Sequence, residues 1–288
     1  MKPGKSAIRL IECPRDAMQG WTHFIPTEEK VKYINALLKV GFDTIDFGSF
    51  VSAKAIPQMA DTHEVTDKLD ISNSKTKLLA IIANERGADE AFKHDIISLI
   101  GFPFSVSETF QLRNTNSTIA DSLHRVANIQ ERCVAIGKQL VIYISMGFGN
   151  PYGDVYNEDI VLHWIEKITA LGIKIVSLAD TVGLATPEQV FSVTKSVIEK
   201  FPGIETGVHL HSTPFNRIAK IDAAFKAGCT RFDGALMGIG GCPMADDDLV
   251  GNMDTEQLIS YFSNAGEPLQ LDQQALQESI TIAQSIFR

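Results

Sequence analysis

The chain has 288 residues, 44% hydrophobic and 21% charged, which is enough apolar material for a large core. Its formal net charge of −9 excludes a general binder of nucleic acid or anionic membrane, although a local cation or a metal can still hold an anionic substrate. No run approaches the ~18 apolar residues of a membrane span, and four cysteines without CxxC spacing are too few for a disulfide scaffold, so the expected setting is the cytoplasm with reduced thiols.

Along the chain, short β-branched or aliphatic runs begin near Ile8, Phe42, Lys77, Ile96, Leu140, Lys174, Thr206 and Arg231. Helical periodicity fills 27–40, 119–136, 157–171, 187–200 and 216–227, whereas 87–94 is short and weakly patterned. Thr27-Glu28-Glu29 and Thr186-Pro187-Glu188 mark helix starts, and Gly41, Gly137, Gly172, Gly203 and Gly228 mark helix ends. Eight strands alternating with helices predict a (β/α)8 TIM barrel forming one domain over 1–288, with 271–288 adding one or two outer helical segments. The alternative, a doubly wound open sheet, would carry a nucleotide-binding glycine loop after strand one. Cys13-Pro14-Arg15-Asp16-Ala17 stands there instead and reads as a plain loop.

In such barrels, chemistry gathers at the C-terminal ends of the strands, and the polar residues of this chain cluster there. Glu12, Cys13, Arg15 and Asp16 follow strand one, Asp46 and Ser49 lie on strand two, and Asp180 and Thr181 end strand six. His209-x-His211 ends strand seven, and Gly240-Gly241-Cys242-Pro243 follows strand eight. Residues i and i+2 of a strand share a face, so both imidazoles can enter the barrel mouth as metal ligands; the alternative is a pair of hydrogen-bonded core histidines. Asp16 is brought near by barrel closure, and two imidazoles with oxygen ligands suit Mg2+, Mn2+ or Zn2+. Arg15 is either an exposed loop charge or a guanidinium that stabilises an enolate oxygen. Cys242 is either a small buried hydrophobe, the reading that fits Cys133 and Cys229, or part of a loop that closes over the site.

Ile11-Glu12-Cys13-Pro14-Arg15-Asp16-Ala17-Met18-Gln19 resembles the first-strand motif of metal-dependent lyase and aldolase barrels with an Arg-Asp-x-x-Gln signature. Within that group, four further runs resemble the hydroxymethylglutaryl-CoA lyase family: 49–61, 177–183, 238–243, and Gly251-Asn252 with Thr255-Glu256. The resemblance implies that Asp16, His209, His211 and Asn252 hold Mg2+ or Mn2+. It implies that Arg15 stabilises the enolate of departing acetyl-CoA, and that Cys242, on a mobile loop, or His209 donates the proton. Glu12, Asp180 and Glu256 would orient ligands or assist acid–base steps, and Gln19, Asp46, Ser49, Asn114, Tyr143 and Thr181 would contact the acyl-CoA substrate. A homodimer is implied as well.

Departures from the family pattern are Thr22 in place of a lysine, Asp46 in place of a glutamate, and Ser212-Thr213-Pro214-Phe215 after the second histidine. The segment between Cys242 and Asn252 is also one residue longer and holds Asp246, Asp247 and Asp248. These leave the expected metal ligands intact and the exact acyl-CoA open. Two other readings stand beside the lyase: a condensing acyltransferase or oxo-acid aldolase of the same superfamily, and a non-catalytic acyl-CoA-binding barrel.

Overall fold

A computed structural model describes residues 7–241 and 250–288 of the protein. Eight parallel strands form the barrel: β1 (Arg9–Glu12), β2 (Thr44–Ser49), β3 (Lys77–Ile81), β4 (Ile97–Ser105), β5 (Gln139–Ser145), β6 (Ile175–Asp180), β7 (Glu205–Ser212) and β8 (Arg231–Gly234). Each pairs with its successor, and β1 pairs with β8 in the register Arg9↔Arg231 to Glu12↔Gly234, which closes the sheet. The (β/α)8 expectation is met, and the open-sheet alternative fails on that last pairing.

Strand alternation divides the core into two layers. Leu78, Ala80, Ile100, Phe102, Leu140 and Ile142 face outward into the layer under the helices, while Leu79, Ile81, Leu99, Val141, Tyr143 and Ile175 fill the interior. That interior filling comes from β3 to β6 alone. On β2, β7 and β8 the inner positions carry the buried Asp46, Arg231 and Asp233 and the half-buried His209 instead.

The long helices follow the periodicity: α2 (Thr27–Leu37), α6 (Ile119–Ala135), α7 (Glu158–Ala170), α8 (Pro187–Lys200) and α9 (Arg217–Lys226). Thr186 caps α8 in a reciprocal capping box with Gln189, and Pro187 takes the first helical position. The weakly patterned 87–94 becomes α4 (Glu85–Ala91), shifted toward its Asn84 cap. Four helices were not predicted in position: α1 (Pro14–Gln19), α3 (Thr62–Asp67), α5 (Glu108–Thr115) and α10 (Thr255–Asn264). The first three, of six to eight residues, are too short to show a 3.6-residue period. The C-terminal segment forms α11 (Gln273–Ile286), and the following Phe287 stacks edge-on against Trp21 and Tyr33.

A short strand, β9 (Gly251–Asn252), runs antiparallel to the end of β7 with His211 opposite Asn252. This pairing carries Asn252 to the barrel mouth. Gly240 stands at φ +90°, and a Cβ there would lie 2.6 Å from the Asp16 carbonyl oxygen. Only glycine allows the chain after β8 to pass so close to α1.

Candidate active site

Cys13-Pro14-Arg15-Asp16-Ala17 is the start of a helix, not a loop, and this explains the Arg-Asp-x-x-Gln spacing. On α1, Gln19 lies one turn beyond both Arg15 and Asp16. Its amide oxygen accepts from Arg15 Nη1 at 2.9 Å, and its Nε2 donates to Asp16 Oδ1 at 2.7 Å. Arg15 is buried rather than exposed. Its Nε reaches both Asp46 oxygens at 3.1 and 3.2 Å, Nη2 reaches Asp46 Oδ2 at 2.5 Å, and Nη1 reaches Asp16 Oδ1 at 2.7 Å. Burial opposes the charge of Arg15, but Asp46 and Asp16 hold it firmly cationic.

Asp16, His209 and His211 present ligand-type atoms that all lie within 4.8 Å of one another. Asn252 Nδ2 donates to Asp16 Oδ2 at 2.7 Å and to the Ile239 carbonyl at 3.0 Å, so the four expected ligands do converge. Burial works against the Asp16 charge, yet Arg15, followed by the two histidines and Asn252, draws its pKa down to about 2. Burial and then the neighbouring His209 push His211 down to about 4, so its imidazole is neutral at physiological pH. For His209, burial is outweighed by Asp233 and Asp16, and its pKa lies above the ordinary value.

The donor set fits a divalent cation. His211 is 2% exposed, and neither of its ring nitrogens makes a hydrogen bond of normal geometry among the described residues, the Thr181 backbone being the polar group that approaches it. A buried imidazole left in that state is costly unless it is a ligand. His209 Nδ1 lies 3.2 Å from Asp233 Oδ2, leaving Nε2 free to coordinate. Cys13, His209 and Asp233 form a second close group, but burial raises the Cys13 thiol well above its ordinary pKa, which disfavours the thiolate that a metal requires.

These residues open on a cavity of about 160 Å3. Arg15 and Asp16 supply its charged lining beside the His209 and His211 imidazoles, Gln19, Asn114, Tyr143, Ser145 and Thr181 its polar lining, and Val51, Ile56, Ile81, Pro103 and Phe110 an apolar wall. The buried Tyr143 hydroxyl has no partner among the described residues, and its ring stands edge-on to His209 at 5.8 Å. The Thr181 hydroxyl oxygen accepts from the Met146 backbone N–H at 2.9 Å.

Several residues expected in the site lie beside it. Asp46 is committed to Arg15, and Ser49 accepts from Val51 N–H at 3.2 Å; neither lines the cavity, because the β2 inner face is closed by the Arg15 guanidinium. Asp180 is on the outward face of β6 and bonds Lys220 Nζ at 2.6 Å. Lys220, fully buried, also donates to the His211 carbonyl at 2.8 Å, so this ion pair pins the end of β7. Glu12 accepts from Leu236 N–H at 2.8 Å and from the Thr255 hydroxyl at 2.6 Å, and Glu256 accepts from Met237 N–H at 3.0 Å. Both glutamates therefore hold the turn after β8 rather than face the cavity. Cys242 lies outside the described residues. Asp233, Lys220 and Arg231 were missed in the sequence, although the alternation Arg231-Phe232-Asp233 on one strand was a signal that two charges share the inner face.

Burial pushes the Glu12 pKa from 4.5 up to about 8, against the pull of Thr255 and Leu236. A carboxyl with a raised folded pKa gives stability that is fully present below about 4.5 and lost as pH climbs toward 8. Glu12→Gln cannot ionise; like the protonated carboxyl it keeps one oxygen to accept from Leu236 N–H and offers a donor to the Thr255 hydroxyl. The Tm of this variant relative to wild type is expected to rise from about pH 5 to pH 8 and then level. A pH-independent difference would refute a neutral Glu12.

The comparisons with known proteins agree with this geometry. The HMGL-like family model matches residues 8–282. A hydroxymethylglutaryl-CoA lyase of Bacillus subtilis is 33% identical over 257 residues, covering 89% of this chain and 85% of the relative. An (R)-citramalyl-CoA lyase of Chloroflexus aurantiacus is 29% identical over 280 residues, covering 94% and 88%. A solved HMG-CoA lyase from Acinetobacter baumannii, in complex with coenzyme A and 3-methylmalate, superposes with a TM-score of 0.90 at 31% identity, covering 100% of this chain and 93% of that one. The chain belongs to the HMGL-like family and is a carbon–carbon lyase of the hydroxymethylglutaryl-CoA lyase kind.

Proposed function

We propose that the protein cleaves 3-hydroxy-3-methylglutaryl-CoA, or a close 3-hydroxyacyl-CoA, to acetyl-CoA and a keto product by retro-Claisen chemistry. With 3-hydroxy-3-methylglutaryl-CoA the keto product is acetoacetate. The observation that carries this reading is the neutral, unpartnered His211 beside Asp16 and His209, under a fixed guanidinium. Asp16, His209, His211 and Asn252 would hold Mg2+ or Mn2+, which supplies positive charge that acidifies the substrate hydroxyl and orients it.

The side chains of the site divide the remaining work. Arg15, locked by Asp46, Asp16 and Gln19, needs no reorganisation to offset charge developing on the thioester enolate. Tyr143 and Asn114 offer hydroxyl and amide groups to the acyl portion, and the apolar wall excludes water from the enolate. Cys242 is the proposed proton donor to the enolate carbon, and the proton given up by the substrate hydroxyl replaces the one it loses, so the cycle consumes none. Cys242→Ser is expected to lower kcat far more than substrate affinity, and a wild-type rate would remove it from the mechanism. The three described cysteines are free and buried, in keeping with the proposed cytoplasmic setting.

Citramalyl-CoA is the second candidate substrate, supported by the Chloroflexus relative and by an apolar wall that accepts a small alkyl substituent. The test is a panel of 3-hydroxyacyl-CoA thioesters, citramalyl-CoA included, assayed with Mg2+ or Mn2+ and again with EDTA. Release of acetoacetate and acetyl-CoA that EDTA abolishes supports the first reading. Turnover of citramalyl-CoA alone would replace it with the second. Activity that survives EDTA would overturn the metal assignment.

A further inference from the structure

Asn252 reaches the barrel mouth on a very short element. β9 has two residues, and its ladder to β7 is the pair of matches His211↔Asn252 and Ser212↔Gly251. Two backbone bonds extend it: Met253 N–H donates to the Leu210 carbonyl at 3.1 Å, and Ala235 N–H donates to the Met253 carbonyl at 2.9 Å. A strand this short is below the ordinary range and relies on support from side chains.

Arg217, the first residue of α9, supplies such support. Its Nε donates to the Ser212 hydroxyl at 3.2 Å, and its Nη1 pairs with Asp254 Oδ2 at 3.0 Å. Ser212 follows His211 on β7, and Asp254 lies two residues past Asn252, so one guanidinium ties both sides of the ladder just beyond the expected ligands. The Arg217 and Asp254 side chains are 13% and 15% exposed, largely withdrawn from water, where a charge-assisted bond is stronger than on the surface. The turn after β8 closes on the same group. A Cβ at Gly238 would lie 3.0 Å from Arg217 Nη2 and 3.2 Å from the Asn252 carbonyl oxygen. That turn also carries the Ile239 carbonyl, which with Asp16 takes both bonds of Asn252 Nδ2 and leaves Asn252 Oδ1 as the ligand atom. One turn along α9, Lys220 grips the His211 carbonyl, so the first turn of this helix holds β7 on one side and the seat of β9 on the other.

We propose that Arg217 is a positioning residue for the metal centre: by bridging Ser212 and Asp254 it fixes β9 on β7, and so sets Asn252 against Asp16 and His211. This rests on the metal reading above and extends it to a residue that belongs to neither the cavity lining nor the ligand cluster.

The experiment is Mn2+ titration followed by electron paramagnetic resonance, well below the unfolding temperature, with Tm recorded for each variant. Arg217→Met is expected to weaken Mn2+ binding about 10-fold, the lower end of the cost of losing an outer partner of a metal ligand. Asp254→Asn is expected to come close to the same loss. It keeps an oxygen to cap α10 at Gln257 N–H, as Asp254 Oδ1 does at 3.0 Å, but turns an amide NH2 toward Arg217. In an Asn252→Ala background, where Asp16, His209 and His211 remain to bind Mn2+, Arg217→Met is expected to cost nothing further. A merely structural role would lower Tm and leave affinity unmoved. A folded Arg217→Met with wild-type affinity would overturn the proposal, as would an equal further loss in the Asn252→Ala background. If Arg217→Met does not fold, Asp254→Asn, alone and with Asn252→Ala, decides by the same criteria. Failure of the metal reading shows instead in the wild type, which would then bind no Mn2+, and this inference would fall with it.

Discussion

Replacing His209 by alanine is expected to abolish metal-dependent turnover while the barrel stays folded. His209 contributes one of three clustered ligand groups, and loss of a direct ligand should exceed the roughly 10–100-fold that an outer partner costs in metal affinity. The same substitution strips Asp233 of its imidazole partner. An unsatisfied buried acceptor costs about 1–3 kcal/mol, which for a chain of this size lowers Tm by only a few degrees. Turnover and Mn2+ affinity should therefore collapse while calorimetry shows a modest shift. Metal-dependent activity near wild type would refute the ligand assignment.

The second large effect is expected at Arg15. Arg15→Gln should lower kcat by about 10²–10³, the usual cost of removing one preorganised donor from a developing oxyanion. KM should move far less, because the lost interaction strengthens only as charge develops. Arg15→Lys should be almost as poor. An ammonium cannot span Asp46, Asp16 and Gln19 at once, as the guanidinium does with three nitrogens. Both variants leave Asp46 buried with its counter-charge removed or weakened, so its pKa, already raised by burial, rises further. Stability relative to wild type should then fall as pH rises above the ordinary carboxylate range, since the native state holds a proton that the unfolded chain releases. Steady-state kinetics and the pH dependence of Tm check both halves. A kcat within a few-fold of wild type would remove Arg15 from the reaction.

The sequence made the barrel legible because parallel strands buried on both faces leave near-continuous apolar runs, and long helices leave a period. It was silent on α1, α3 and α5, whose six to eight residues are stabilised by tertiary contact rather than by pattern. The clustering of the candidate metal ligands was legible through a strand's two-residue repeat and a motif. The second layer was not, because a hydrogen bond such as Asp233 to His209 joins residues 24 apart, and no local spacing encodes it. Asp180 and Glu12 show what position alone leaves open. Both stand at strand ends, but which face a side chain takes depends on strand phase, and theirs turn toward partners that hold the elements of the site, Lys220 and the turn after β8.

The unequal filling of the barrel has an evolutionary consequence. The candidate ion site and the guanidinium are held from β1, β2, β7 and β8, whereas the hydrocarbon surface of the cavity, proposed to meet the acyl group, comes largely from β3 to β5 and the segments after β2 and β4. Catalysis and recognition thus occupy opposite arcs, and volume changes on the recognition arc need not disturb a single coordinating atom. A lineage built this way can trade one thioester for another through a few aliphatic replacements while its bond-breaking apparatus is inherited unchanged.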